Sequence, residues 1–101
     1  MDCALNDTLI HSIQAIGREY AYAIKRIVLF GSRARGDNKS TSDIDLAVYP
    51  LPEFKSKGYF SSEIDDLATL FKIDVIFIDN HTDIKLLENI KKEGVVIYER
   101  L

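Results

Sequence analysis

The feature that most constrains this chain is a pair of carboxylates at the head of an apolar stretch. Asp43-Ile44-Asp45 opens the segment 43–49, which has the alternating pattern of a β-strand. Aspartate is depleted in strands because its side chain competes for backbone hydrogen bonds and packs poorly on a pleated surface. A strand that begins with two aspartates therefore needs a reason other than packing. The Gly31-Ser32 turn shortly before it belongs to the same question.

The rest of the chain alternates between helical and strand patterns. The predicted helices cover 6–24, about 61–71 and 83–93, and the predicted strands cover 26–30, 43–49, 72–78 and 95–98. The order α-β-β-α-β-α-β predicts an α/β domain of the α+β kind, in which helices cover a small sheet. Because the 101 residues contain no linker or repeat, we expect a single domain over 1–101.

Charge and composition narrow the classes of protein that fit. The net charge of −3 offers no general surface for polyanions, so we expect no stable binding of nucleic acid. No apolar run approaches the ~20 residues of a membrane span, and the N-terminus lacks the basic and then apolar order of a signal peptide. The single cysteine, Cys3, cannot form an internal disulfide. A reducing, cytoplasmic setting is therefore expected.

The two aspartates of the strand predict a cation site. Asp43 and Asp45 share one strand face, and Asp74 lies near the start of the predicted strand 72–78, where a lone charge is costly unless it is paired or bound to a cation. Mg²⁺ suits such a group because it takes few carboxylates and completes its shell with substrate phosphates. An Asp-x-Asp pair alone is a weak signal that also occurs by chance and in some sugar-nucleotide transferases. Asp74 alone could be a strand-end residue that faces solvent.

The turn before the acidic strand has features of a phosphate site. Gly31-Ser32 directly follows the apolar run 26–30, so its backbone N–H groups and its hydroxyl could meet a phosphate. Arg33 and Arg35 flank the turn and could add charge. Taken singly, the glycine and serine could form an ordinary tight turn and the arginines could be surface charges. The Lys and the spacing of a Walker A loop are absent.

Together these residues resemble a known family. Gly31-Ser32, ten intervening residues and then Asp43-Ile44-Asp45 are similar to the signature of the nucleotidyltransferase superfamily that includes DNA polymerase beta. The local sequences GSRARG and SDIDLAV resemble its minimal nucleotidyltransferase (MNT) branch. The resemblance covers nearly the whole chain and implies a small mixed sheet flanked by helices.

The resemblance also implies an activity and a set of site residues. It implies an enzyme that moves AMP from ATP to a hydroxyl group. Asp43, Asp45 and Asp74 would be the catalytic residues and would hold two Mg²⁺ ions, and Asp74 would also help to orient or deprotonate the acceptor hydroxyl. The implied ATP contacts are Gly31, Ser32, Arg33 and Arg35.

The acceptor is expected to come from a second molecule. A chain of 101 residues has little material left for an acceptor-binding domain. In the MNT branch the usual partner is a HEPN-type toxin ribonuclease whose tyrosine receives AMP, which implies an antitoxin within a hetero-oligomer. Two other functions stay open at this point. One is transfer to a small molecule, such as an aminoglycoside, that a second subunit binds, and the other is a catalytically silent antitoxin that acts by occlusion.

Overall fold

The computed structural model describes residues 7–36, 43–67, 69 and 71–100. Within these ranges the helices are α1 (Asp7–Glu19), α2 (Ser32–Arg35), α3 (Lys57–Asp65) and α4 (Ile84–Glu93). The strands are β1 (Ile24–Phe30), β2 (Ile44–Pro50), β3 (Ile73–Phe77) and β4 (Val95–Glu99). No helix in this part of the chain is long and apolar enough to cross a bilayer.

The four strands form one mixed sheet in the order β3-β2-β1-β4. β1 runs antiparallel to both β2 and β4, whereas β2 and β3 are parallel. Parallel neighbours need a crossover connection, and α3 lies in the connection between β2 and β3. The predicted fold, a small mixed sheet flanked by helices, is confirmed.

The sheet separates a large apolar core from a small one. The larger core lies on the side of α1 and α3 and includes Ile13, Ile27, Leu29, Ile44, Leu46, Val48, Phe60 and Ile64. The smaller core lies under α4 and consists of Val28, Phe30, Ala47 and Ile90. Alternation along β2 therefore sends Ile44 and Leu46 into the large core. Asp45 shares the α4 face with Ala47.

The first helix is shorter than the pattern predicted. It ends at Glu19 rather than near residue 24, and Ile24 already begins β1. The amide nitrogens of Ala23 and Ile24 both donate to the carbonyl oxygen of Tyr20 at 2.8 Å, which turns the chain back toward the sheet. Tyr20 and Ile24 continue the helical spacing of apolar residues, but both lie beyond the end of the helix and are buried by contacts with the rest of the fold. Tyr20 packs edge-on against Phe60, and Ile24 is a buried strand residue.

The third helix was misplaced by the prediction. It covers Lys57–Asp65 rather than about 61–71, and Phe60 and Ile64 are its buried residues. Beyond it, Leu67 and Phe71 still pack against the large core. Their apolar spacing reflects core contacts made from non-helical backbone, which local periodicity cannot distinguish from a helix.

The last helix and strand lie close to the predicted ranges. Asp83 caps α4, because its side chain accepts a hydrogen bond of 2.7 Å from the amide of Lys85. Gly94 follows the helix as predicted, and its amide donates to the carbonyl of Ile90 at 2.8 Å. The pattern did not predict α2, a single helical turn that follows Gly31.

Candidate active site

The predicted site residues that the structure describes lie at one end of the sheet. Phe30, the last residue of β1, pairs with Asp45 on β2, and Asp45 pairs with Asp74 on β3. Neighbouring strands lie about 4.8 Å apart, so Asp45 and Asp74 are direct neighbours on one face. Gly31 and Ser32 come immediately after β1 and therefore lie at the same end. The structure thus brings together a turn and two carboxylates from three strand ends.

Gly31 is required by two features of this turn. Its φ of 78° and ψ of −159° lie in a region that only glycine adopts readily. A Cβ at this position would stand 2.6 Å from Oδ2 of Asp45, closer than a carbon and an oxygen can approach. The missing side chain therefore lets the Asp45 carboxylate lie directly against the backbone of the turn. Gly36, with a φ of 80°, ends the helical turn that follows.

Asp45 lies in an environment that is unfavourable for an ionised carboxylate. Burial raises the pKa of its carboxyl group, and the nearby charges of Asp74 and then Asp43 raise it further. Asp43 is exposed just before β2 begins. Nζ of Lys72 lies 3.3 Å from Oδ1 of Asp74, and this Asp74 side chain is 38% exposed. Lys72 therefore partly offsets the charge of Asp74, whereas an ionised Asp45 is disfavoured in its place.

The carboxylates at this end of the sheet are hard oxygen donors of the kind that Mg²⁺ takes. Among the described residues, no three His, Cys, Asp or Glu side chains stand close enough together to hold a metal ion unaided. Mg²⁺ does not need such a cage, because it binds through one or two carboxylates and takes its other ligands from phosphates and water. The adjacent carboxylates of Asp45 and Asp74 fit this requirement. Two such carboxylates would leave the other coordination positions of an ion to phosphate or water oxygens.

The two arginines of the turn have protein partners. Arg33 is only 5% exposed, and its guanidinium carbon lies 4.3 Å from the centre of the Phe71 ring. Nη1 of Arg35 lies 2.9 Å from a carboxylate oxygen of Glu93 near the end of α4. The contact of either arginine with ATP remains a prediction. Both contacts tie α2 to other parts of the fold.

Sequence reasoning missed three residues around the site: Lys72, Phe71 and Glu93. Lys72 had a usable signal, since it lies two residues before Asp74 and side chains two apart share a strand face. Phe71 was assigned to the face of a helix that does not extend that far. Glu93 gave no local signal, because its partner Arg35 lies far away in the chain.

The chain belongs to the Polymerase beta, Nucleotidyltransferase family, whose model matches residues 11–101. The family indicated by the Gly-Ser and Asp-x-Asp motifs is thereby confirmed. A protein of Methanocaldococcus jannaschii, provisionally named a protein adenylyltransferase, is 37% identical over 57 residues. The match covers 54% of this chain and 65% of that relative, which is less than two thirds of its length.

Solved structures share the fold. A toxin–antitoxin crystal structure with AMP-PNP has a TM-score of 0.70 at 21% identity, and covers 94% of this chain and 74% of its own. A mutant of the toxin–antitoxin MntA-HpeT has a TM-score of 0.72 at 18% identity, with the same coverage. A provisionally named nucleotidyltransferase from Sulfolobus solfataricus reaches 0.54 at 23% identity, and covers 96% of this chain and 92% of its own. At these identities the likeness establishes the fold alone.

Proposed function

We propose that the chain is a Mg²⁺-dependent nucleotidyltransferase that moves AMP from ATP to a tyrosine hydroxyl of a HEPN-type toxin and so acts as an antitoxin. The observation that carries the activity is the pairing of Asp45 with Asp74 beside the Gly31-Ser32 turn. Carboxylates placed next to a turn whose backbone amides and hydroxyl can meet phosphate are suited to phosphoryl chemistry. The family membership supports the reaction class.

The chain's own residues have distinct roles in the proposed reaction. The Ser32 hydroxyl and the turn after Gly31 hold the triphosphate, and Arg35, with a side chain that is 41% exposed, adds positive charge to the turn. Mg²⁺, when bound by Asp43, Asp45 and Asp74, supplies charge stabilisation for the transferring phosphoryl group. The carboxylate of Asp74 takes the proton of the acceptor hydroxyl. The acceptor oxygen then forms a bond to the α-phosphorus, the bond from that phosphorus to the bridging oxygen breaks, and pyrophosphate leaves with the electron pair.

The partner is proposed from the relatives. One relative is provisionally named a protein adenylyltransferase, and two structures of the same fold are described as toxin–antitoxins, one of them with AMP-PNP. These descriptions support a protein acceptor, a toxin partner, and an adenine nucleotide as the donor. We propose the cytoplasm as the location, because ATP is available there and the lone cysteine fits a reducing compartment.

Transfer of label from ATP tests this proposal. The protein is incubated with ATP labelled at the α-phosphate and Mg²⁺, with and without the candidate toxin, and the toxin is then separated and analysed for a labelled tyrosine. We expect label on the toxin with wild-type protein and none with Asp43→Asn or Asp45→Asn. Asp65→Asn, at an exposed position on α3, is the matched control and should behave as wild type.

The same assay separates the alternatives. Label on an added aminoglycoside but not on the toxin would show that the acceptor is a small molecule rather than the toxin. Inhibition of the toxin without any labelling, unchanged in both aspartate variants, would indicate a silent antitoxin that acts by occlusion. Near wild-type labelling by either variant at saturating Mg²⁺ would contradict the proposed metal site.

A further inference from the structure

We propose that Arg33 is a positioning residue, which acts through its stack on Phe71 to hold the Ser32 turn at a fixed place relative to the strand that carries Asp74. This inference rests on the proposed function, because the positioned groups are those assigned to the nucleotide and the metal. It gives Arg33 a role other than the ATP contact that the motif suggests.

The burial of Arg33 is the first observation. Arg33 is 5% exposed, and among the described residues it is the only charged one that is buried. A guanidinium is removed from water only where its partners compensate for the lost hydration. The face of the Phe71 ring, 4.3 Å from the guanidinium carbon, is such a partner, since an aromatic ring attracts a cation within about 6 Å of its centre. Arg33 is thus placed to contact the protein rather than solvent.

The weakness of α2 is the second observation. A helix of four residues cannot support itself, because helix formation requires a costly first turn before further residues add stability. Its position must therefore come from contacts with the rest of the fold. Ala34 packs into the large core, Arg35 pairs with Glu93 of α4, and Arg33 stacks on Phe71. Of these residues, Arg33 is the one that directly follows Ser32.

The location of Phe71 is the third observation. The next residue, Lys72, accepts a hydrogen bond of 2.9 Å from the amide of Ile44 through its carbonyl oxygen. That bond begins the parallel pairing of β2 and β3, which sets Asp45 opposite Asp74. The stack therefore connects the turn that carries Ser32 to the point where the strand of Asp74 joins the sheet. Loss of the stack removes this connection between the phosphate-holding turn and the strand of Asp74.

Binding of Mg²⁺-ATP to a set of variants tests this role by calorimetry. Arg33→Met and Phe71→Leu should each weaken binding by about 10-fold, because small misplacements of binding groups have large effects. The double variant should bind within about 2-fold of the weaker single variant, since both changes remove one interaction. Arg18→Met removes an exposed guanidinium from α1 and should bind as wild type. Phe71→Tyr keeps the aromatic face and should also bind as wild type.

Other patterns of binding would show either that Arg33 contacts the nucleotide directly or that the stack has no role. If Arg33→Met weakens binding but Phe71→Leu does not, Arg33 contacts the nucleotide itself and the proposal is wrong. Losses that multiply in the double variant also contradict it, as does wild-type binding by both single variants. If Arg33→Met fails to fold, Arg33→Lys replaces it, because lysine keeps the charge but loses the planar stack.

A second readout separates this inference from the proposed function. Amide hydrogen exchange is measured without any ligand at Ala34, Arg35 and Gly36, whose amides donate to the carbonyl oxygens of Gly31 and Ser32. It should speed up in both Arg33→Met and Phe71→Leu if the stack holds the turn. Unchanged exchange in both variants would overturn the positioning role. Failure of the wild-type protein to bind Mg²⁺-ATP would instead contradict the proposed function, and the exchange result would still decide the role of Arg33.

Discussion

Replacing Asp45 by asparagine should stabilise the protein when no metal is present. The pKa of the Asp45 carboxyl is raised in the folded state, first by burial and then by Asp74 and Asp43. The folded state therefore holds this proton more tightly than the unfolded chain does. The contribution of Asp45 to stability is greatest below its unfolded pKa of about 3.9 and is lost as the pH rises through the raised value. At neutral pH the ionised carboxylate opposes folding, and asparagine removes that charge at nearly the same shape.

The size of the effect follows from the strand pairing. Asp45 lies opposite Asp74 on β3, and like charges placed directly across a pair of strands destabilise by roughly 0.2–1 kcal/mol. In a domain of this size that range corresponds to a rise in Tm of about 1–8 °C. A ligand at 100 times its Kd stabilises the folded state by about 2.7 kcal/mol, which is an increase of about 10–20 °C. The order of stability should therefore reverse when Mg²⁺ and ATP are added.

Thermal melts of the wild type and of Asp45→Asn, in EDTA and in Mg²⁺-ATP, measure this reversal. We expect the variant to melt higher in EDTA at pH 7 and the wild type to melt higher with the ligand. The difference in EDTA should shrink toward pH 3, where the wild-type carboxyl becomes protonated. Asp65→Asn, at an exposed position, controls for a general effect of removing charge. A variant that melts below wild type in EDTA, or that gains as much from Mg²⁺-ATP, would refute the argument.

Three further substitutions have expected outcomes. Ser32→Ala should lower kcat/KM for ATP by about 10- to 100-fold, since a hydrogen bond to a charged group contributes about 1.5–3 kcal/mol; an unchanged value would mean that Ser32 only shapes the turn. Gly31→Ala should lower the free energy of unfolding in urea by about 1–3 kcal/mol because of the positive φ at this position. It should also abolish ATP binding, because the added Cβ would displace the Asp45 carboxylate. A stable variant that binds ATP would contradict the contact between Gly31 and Asp45. Gly17→Ala should also destabilise, because a Cβ there would lie 2.7 Å from the ring of Tyr98. In a Tyr98→Ala background, which lacks the clashing Cγ, Gly17→Ala should instead stabilise the protein by up to the ~1 kcal/mol that alanine gains over glycine in a helix. Urea melts of Tyr98→Ala with and without Gly17→Ala measure this change of sign.

The helices and strands that are marked by local sequence patterns were predicted well. The strands and α4 lie within about two residues of the predicted ranges, because alternation and capping residues are local signals. The end of α1 and the position of α3 were predicted poorly. In both places apolar residues keep helical spacing while the backbone turns, and the core contacts of Tyr20 and Phe71 come from parts of the fold distant in sequence. Local spacing cannot report such contacts.

In the candidate site, too, local sequence signals were predictive and contacts between distant segments were not. Gly31 and Asp45 could be selected from sequence because each is unusual for its own backbone: a glycine directly after a buried strand and a carboxylate within one. Arg33 and Arg35 are ordinary residues for a surface turn. Their partners, Phe71 and Glu93, come from distant segments, so the sequence suggested a phosphate contact and did not suggest the stack or the ion pair.

The two unusual residues of the site form a single structural feature. Gly31 has a backbone conformation that side chains rarely tolerate, and its missing Cβ is what leaves room for the Asp45 carboxylate at this point. Asp45 in turn places a charge with a raised pKa on a strand that would be more stable without it. Asp45 opposes folding when it is ionised, Gly31 is the residue that makes room for it, and neither side chain improves the packing of the core. A costly carboxylate beside a turn that is built to accommodate it is best explained by a ligand at this end of the sheet: Mg²⁺ has the charge to offset Asp45, and the oxygens of a triphosphate can accept hydrogen bonds from the turn.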